Sequence, residues 1–253
     1  MTLQGKHALV TGGGTGIGLA IARALAEQGA QVTITGRRAE VLEQVAGDGL
    51  HGLAMDVTDE DQVRQVIDTA VDARGPLQII VANAGVAEGR KLHKSDTAFW
   101  RRIMATNLDG AFFTIREGMR SMLGTDWGRV LAVSSIAGVR GLPGGGAYSA
   151  SKHGVIGMMR SLGEDFLGQP YTFNSICPGY VDTDIITRNV DAIKDRAGIS
   201  AEEAKQVMVQ SNRHKRLIAP EEVAAAALWL CMPGSESVNG QEIMIAGGQV
   251  VGK

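Results

Sequence analysis

Tyr148 and Lys152 stand four residues apart, so on a helix they share one face and their functional ends can converge on one point. That pairing suits acid–base chemistry. A phenol titrating near ~10 is a poor base at neutral pH, and a neighbouring ammonium favours its phenolate, so Lys152 is expected to lower the Tyr148 pKa. Ser135 lies thirteen residues before Tyr148, at the end of an apolar run over 129–134. The carboxyl end of a strand there would present its hydroxyl to a ligand crevice, where it could hold a substrate oxygen. Ser134 is the adjacent alternative, and alternation along a strand allows only one of the two to do this work. An isolated Tyr–Lys pair also reads as two surface residues on one helical turn.

A second chemical stretch is residues 11–18, TGGGTGIG, with five glycines among eight residues directly after an apolar run. A helix N-terminus offers unpaired N–H groups and a partial positive charge, so a phosphate suits it, and Gly12, Gly16 and Gly18 let the main chain approach closely. A pyrophosphate is the expected occupant. Glycines of this kind also serve plain strand-to-helix turns.

These residues need elements to hold them. Short β-branched or aliphatic runs at 7–11, 31–35, 52–55, 78–82, 129–134, 172–176 and 243–245 read as buried strands. Helical periodicity occupies 17–28, 59–73, 99–123, 147–166 and 220–230. Thr58-Asp59 and Pro220-Glu221-Glu222 mark helix starts, and Gly29 closes the first helix. Regular alternation of the two predicts right-handed βαβ units, hence a doubly wound α/β fold of about seven parallel strands with helices on both faces. No linker, like-charge run or repeat divides the sequence, which predicts one domain over 1–253. The stretch 182–219 breaks the rhythm with two amphipathic segments and no strand. Long excursions of this kind serve as lids or binding loops, or else lie on the surface as helices without a substrate role.

The composition fits that reading. In 253 residues, 21% are charged and 44% apolar, with a formal net charge of −2. That balance argues against a disordered chain and against an electrostatic nucleic-acid binder. No run approaches the ~20 apolar residues of a membrane span, and the first six residues lack the apolar core of a signal peptide, so a cytoplasmic location is expected. Cys177 and Cys231 have no metal-ligand spacing and suit a reducing compartment.

The glycine spacing, Ala82-Asn83-Ala84-Gly85, Tyr148-Ser149-Ala150-Ser151-Lys152, Asn107-Leu108-Asp109-Gly110 and Pro178-Gly179 occur in the kind and order of the short-chain dehydrogenase/reductase family. The sequence resembles that family over nearly its whole length. The resemblance implies hydride transfer between a nicotinamide and a carbon bearing a hydroxyl or carbonyl, with no metal and no covalent intermediate. It assigns Ser135 to polarise the carbonyl, in keeping with the thirteen-residue spacing, and Tyr148 to give or take the proton. Lys152 would also bind the nicotinamide ribose, and Asn107 would hold a water connecting the lysine to solvent. Cofactor contacts are implied at Gly12, Thr15, Gly16, Ile17, Gly18, Asp56, Val57, Asn83, Gly85, Tyr148, Lys152, Pro178, Gly179, Val181 and Thr183. Family members are usually tetramers, which makes a homotetramer the expected assembly. Ala82 and Ala246 depart from the usual asparagine and aspartate at their positions.

At the end of the second strand the sequence is Gly36-Arg37-Arg38. NAD-binding folds place an acidic residue there, whereas a 2′-phosphate wants arginine, so Arg37 points to NADP rather than NAD. Two solvated charges opening a second helix are the alternative. Arg90, Lys91, His93 and Lys94, then Arg213, His214, Lys215 and Arg216, form two basic loops, and Arg140 lies between Ser135 and Tyr148. Summed charge at a cleft mouth would steer an anion such as a 3-oxoacyl thioester inward, with Arg140 joining Ser135 and Tyr148 at the substrate, unless these charges face solvent or the cofactor phosphates. An NAD-dependent hydroxy acid or secondary alcohol dehydrogenase is the rival enzyme, and a non-catalytic NADP(H) redox sensor the rival of another class.

Overall fold

Alternation along the strands decides which helices cover which face. In β1 (His7–Thr11), Ala8 and Val10 pack into one apolar cluster while Leu9 joins another. The same split separates Ile79 and Val81 from Ile80 in β4 (Ile79–Ala82), and Leu131 and Val133 from Val130 and Ala132 in β5 (Gly128–Val133). A strand that buries both faces needs helices on both sides of the sheet. In this computed structural model, which describes residues 2–183, 186, 190, 198 and 200–249, they are present. Helices α1 (Gly16–Glu27) and α8 (Pro220–Cys231) cover the first face. Helices α3 (Glu60–Arg74), α5 (Gly110–Met122) and α6 (Gly146–Asp165) cover the second.

With β2 (Gln31–Gly36), β3 (Leu50–Ala54), β6 (Tyr171–Pro178) and β7 (Glu242–Ile245), the sheet runs β3-β2-β1-β4-β5-β6-β7. Every pairing is parallel. The order reverses between β1 and β4, so the connections leave in opposite directions there and open a crevice at the carboxyl ends of the strands. The doubly wound fold expected from the sequence is the fold observed. Strand β7 closes one edge of the sheet, and the last residues of the apolar ending 243–251 lie outside the described residues.

Helix starts follow their caps. Asp59 accepts from the Gln62 amide at 3.0 Å at the head of α3, and Glu222 accepts from the Ala219 amide at 2.8 Å beside the first-turn proline of α8. The predicted third strand begins two residues early, at Leu50. Arg38 precedes a short helix α2 (Ala39–Val45). The helix expected over 99–123 is three pieces: α4 (Thr97–Met104), a π-helical turn (Ala105–Asp109) and α5. Of the two amphipathic segments expected in 182–219, the second is α7 (Ala201–Ser211) and the first lies outside the described residues. No helix among the described residues is long and apolar enough to cross a membrane.

Candidate active site

The glycine turn is built for close approach. Gly12 and Gly16 hold left-handed backbone, with φ of 65° and 53°, which disfavours a side chain at either position. A Cβ at Gly18 would strike the Gly12 carbonyl, so α1 begins hard against the turn. Thr15 makes no side-chain cap bond, and the first amides of α1 therefore stay open where Thr15, Gly16, Ile17 and Gly18 line a cavity of about 400 Å³. Bare amides at a glycine-lined helix start fit a phosphate group.

Asn83 fixes this turn to the end of β4. Its Nδ2 donates to the carbonyls of Thr11 at 2.8 Å and Gly12 at 3.3 Å, while Thr11 Oγ1 accepts from the amides of Asn83 and Ala84. Gly85 also lines the cavity, and a Cβ there would lie 3.2 Å from Asn107 Oδ1 and 3.5 Å from Lys152 Nζ. Asn107 itself sits behind the wall in the π-helical turn, fully buried. Its amide accepts from Val86 N–H at 2.8 Å and donates to Val86 C=O at 2.9 Å and to Ser151 Oγ at 3.1 Å. A π-turn shifts the following residues around the axis, and here it aims Asn107 at the β4 loop.

Ser135, Tyr148 and Lys152 line the same cavity, as do Pro178, Gly179, Val181 and Thr183, the last of which lies against Gly16, where a Cβ would come 3.1 Å from its Cγ2. Ser135 lies two residues beyond β5, where it caps a tight turn (Ile136–Gly138) by accepting from the Ala137 amide at 3.1 Å. The strand stops at Val133, one residue short of the run read from the sequence. Ser134 turns the other way and donates to the Lys152 carbonyl at 3.0 Å. Lys152 is buried, its Nζ donating to the Val133 carbonyl at 2.8 Å. Loss of water brings its pKa down to about 8. Tyr148 is part-buried because the cavity reaches it, yet protein crowds its hydroxyl and desolvation pushes its pKa up, against the pull of the Ser135 hydrogen bond. The expected lowering by Lys152 does not occur. The ammonium stands 5.9 Å from the phenol ring centroid and is committed to Val133, so burial outweighs it.

Other predicted residues stand apart from the cavity. Arg37 is exposed just past β2, on the same carboxyl edge as the glycine turn, where Gly13 N–H donates to Thr35 C=O at 3.1 Å. Asp56 and Val57 follow β3, and Asp56 accepts from both the amide and the hydroxyl of Thr58. Arg140 is exposed and donates to Gln249 at 3.0 Å. In the basic loops, Arg90 pairs with Asp96 at 3.1 Å and Arg216 with Glu222, so part of the expected anion-steering charge is neutralised within the chain.

The remaining lining is more apolar than the sequence suggested. Leu142, Pro143, Ile186 and Met208 face the cavity together with Tyr180 and Glu88. Of these, Met208 could have been found from the buried face of α7; Tyr180 and Glu88 left no sequence signal beyond their nearness to the motifs.

A short chain dehydrogenase family profile matches residues 6–194. The chain is 34% identical to the D-beta-hydroxybutyrate dehydrogenase of Rhizobium meliloti, over 96% of this chain and 98% of that one. It is 32% identical to a 3-oxoacyl-[acyl-carrier-protein] reductase of Aquifex aeolicus, over 97% and 98%. It is 36% identical to the cis-4-hydroxycyclohexanecarboxylate dehydrogenase of Sinomonas cyclohexanicum, over 96% of each. A crystal structure of an actinorhodin polyketide ketoreductase variant with NADPH superposes with a TM-score of 0.92 at 31% identity, covering 96% of this chain and 97% of that one. A parallel sheet that places a glycine turn and a Ser–Tyr–Lys group in one crevice, together with likeness over nearly the full length, establishes that the chain belongs to the short-chain dehydrogenase family and is an NAD(P)-dependent oxidoreductase acting on CH–OH and C=O groups.

Proposed function

We propose that the protein is an NADP-linked ketone reductase or secondary alcohol dehydrogenase in which Ser135, Tyr148 and Lys152 handle the reacting oxygen and Asn107 positions them. The observation that carries this reading is that the three side chains and the glycine turn line one cavity. A bound nicotinamide supplies or accepts the hydride. Everything else falls to the chain. Ser135 Oγ accepts from the Ala137 amide and stands within hydrogen-bond reach of the Tyr148 hydroxyl, so a substrate carbonyl oxygen placed between the two can take the Ser135 proton as a hydrogen bond. Tyr148, whose pKa burial raises, holds its proton at neutral pH and can donate it to that oxygen in reduction, and takes it back in oxidation. Lys152 Nζ lies next to Gly85 and Val133, within reach of a ribose held against the β4 loop. Asn107 keeps that loop in place through both main-chain groups of Val86.

The residues would hold the dinucleotide along the crevice, with the pyrophosphate at Gly12 to Gly18 and the nicotinamide side near Asn83, Pro178, Gly179, Val181 and Thr183. The preference for NADP is supported by Gly36 and Arg37 at the end of β2, where a guanidinium suits a 2′-phosphate. The NADPH held by the ketoreductase of similar fold supports it too. Exposed Phe112 on α5 and Trp229 on α8 support self-association, read here as a homotetramer of the 1–253 unit. Two free, buried cysteines suit a cytoplasmic setting.

Tyr148→Phe tests the core of this reading. It deletes the proton donor and keeps the ring, so turnover should fall by about 10²-fold or more while NADPH affinity stays nearly unchanged. Turnover retained within tenfold would sink the assignment. For the cofactor, Arg37→Ala should weaken NADPH binding by the ~1.5–3 kcal/mol of a charge-assisted hydrogen bond and leave NADH untouched. Equal weakening of both removes Arg37 as the discriminator.

A further inference from the structure

Behind the cavity lining, three polar side chains bond to one another between the loop after Ser135 and the end of α7. Arg140 Nη2 donates to Gln249 Oε1 at 3.0 Å, and Gln249 Nε2 donates to Asn212 Oδ1. Asn212, with no exposed surface, passes the connection on: its Nδ2 donates to the carbonyls of Tyr180 at 3.2 Å and Arg216 at 2.6 Å. Alongside, the Arg213 amide donates to the Gly247 carbonyl at 2.8 Å.

These residues belong to different walls. Arg140 lies in the loop that leads from Ser135 through 142–145 to α6, and that loop forms one side of the cavity. Asn212 caps the end of α7, whose Met208 lines the cavity together with Tyr180. Gln249 is the link between them, 9% exposed and with both ends of its amide engaged. A buried amide network with its partners satisfied is rigid, and removing one member releases the others.

We propose that Gln249 is a positioning residue that sets the width of the substrate end of the cavity, by tying the wall after Ser135 to the wall built from Tyr180 and α7. The C-terminal segment thereby becomes a determinant of substrate size. This rests on the reading of Ser135 and Tyr148 as the reacting pair.

The test uses the full chain, Gln249→Met, Arg140→Met and the double variant, and the smallest and bulkiest cyclic ketones that the unaltered protein reduces. Methionine keeps length and bulk while removing the amide, and thermal melting checks that each variant is folded. Either single change should raise KM for the small ketone about fivefold to tenfold, the range of one or two lost hydrogen bonds. The double variant should add nothing further, because both changes cut one chain of bonds. The bulky ketone should keep its kcat/KM or gain, and NADPH affinity should stay within about twofold of the unaltered protein. An equal fall in kcat/KM for both ketones, no change for either, or effects that multiply in the double variant overturns the proposal. Retained turnover in Tyr148→Phe overturns the reacting pair instead, whatever the selectivity ratio does.

Discussion

Replacing Lys152 with methionine should make the protein more stable while abolishing its chemistry. The native ammonium titrates near 8 instead of its ordinary 10.5, because burial strips its water and the Val133 carbonyl is its one hydrogen-bond acceptor among the described residues. At about 1.4 kcal/mol per unit, keeping it charged at pH 7 costs about 3 kcal/mol of folding stability. Methionine leaves that carbonyl without its donor, which takes back about 1 kcal/mol, so the net gain is about 2 kcal/mol. In a chain of this length that raises Tm by about 4–8 °C. The sign follows from the protons: between pH 8 and 10.5 the unfolded lysine is protonated and the native one is not, so unmodified protein gains stability as pH rises through that window. The Met variant has no such titration. Urea unfolding of both proteins at pH 7, 9 and 10.5, at one protein concentration, should therefore show a difference that shrinks with rising pH. A variant less stable than the unmodified protein at pH 7, or a difference independent of pH, refutes the reasoning.

Arg129 is buried at the start of β5 with Nε and Nη2 lacking any partner among the described residues, and desolvation lowers its pKa. Arg129→Met should raise stability by about 1 kcal/mol in urea unfolding, after allowing for its lost stacking on Trp127 at 4.5 Å; a loss would show that the guanidinium is satisfied in solution. His7 is buried and neutral, donating and accepting between the Gly75 carbonyl and Thr33 Oγ1, with its pKa lowered first by desolvation. Its contribution is present above the ordinary value of 6.5 and is lost as pH falls through the lowered native pKa, so His7→Gln should flatten the acid side of the stability profile. Gly18→Ala puts a methyl group into the Gly12 carbonyl, and should weaken NADPH binding and cost about 1–3 kcal/mol of stability, read by fluorescence titration and melting.

The strands and the two motifs of the site were readable because each has a local signature. Gly12, Gly16 and Gly18 announce a main-chain approach, and Tyr148 and Lys152 announce a shared helix face. What the sequence hid depends on distant packing. The break at 105–109 is invisible to periodicity, because apolar positions such as Ile103, Ala111 and Ile115 recur on both sides of a turn that inserts one extra residue per cycle. Arg140 and Gln249 are 109 residues apart and meet only because β7 ends beside Gly179. Desolvation raises the Tyr148 pKa, an effect of surrounding packing that the four-residue spacing to Lys152 does not record.

That desolvation ties the chemistry to the fold's own costs. A buried ammonium and a buried phenol are each unfavourable, and neither relieves the other while Lys152 Nζ is bonded to Val133. Both stand on α6, which Val155 and Met159 anchor in the second apolar cluster. A preorganised polar pair is useful because the surrounding structure absorbs the desolvation before any substrate arrives, so little reorganisation is left for the reaction itself. The same reasoning explains why the stabilising changes expected here divide in two. At Arg129, far from the cavity lining, the gain should come without loss of turnover; at Lys152 it should come only with the loss of the ammonium that the reaction uses.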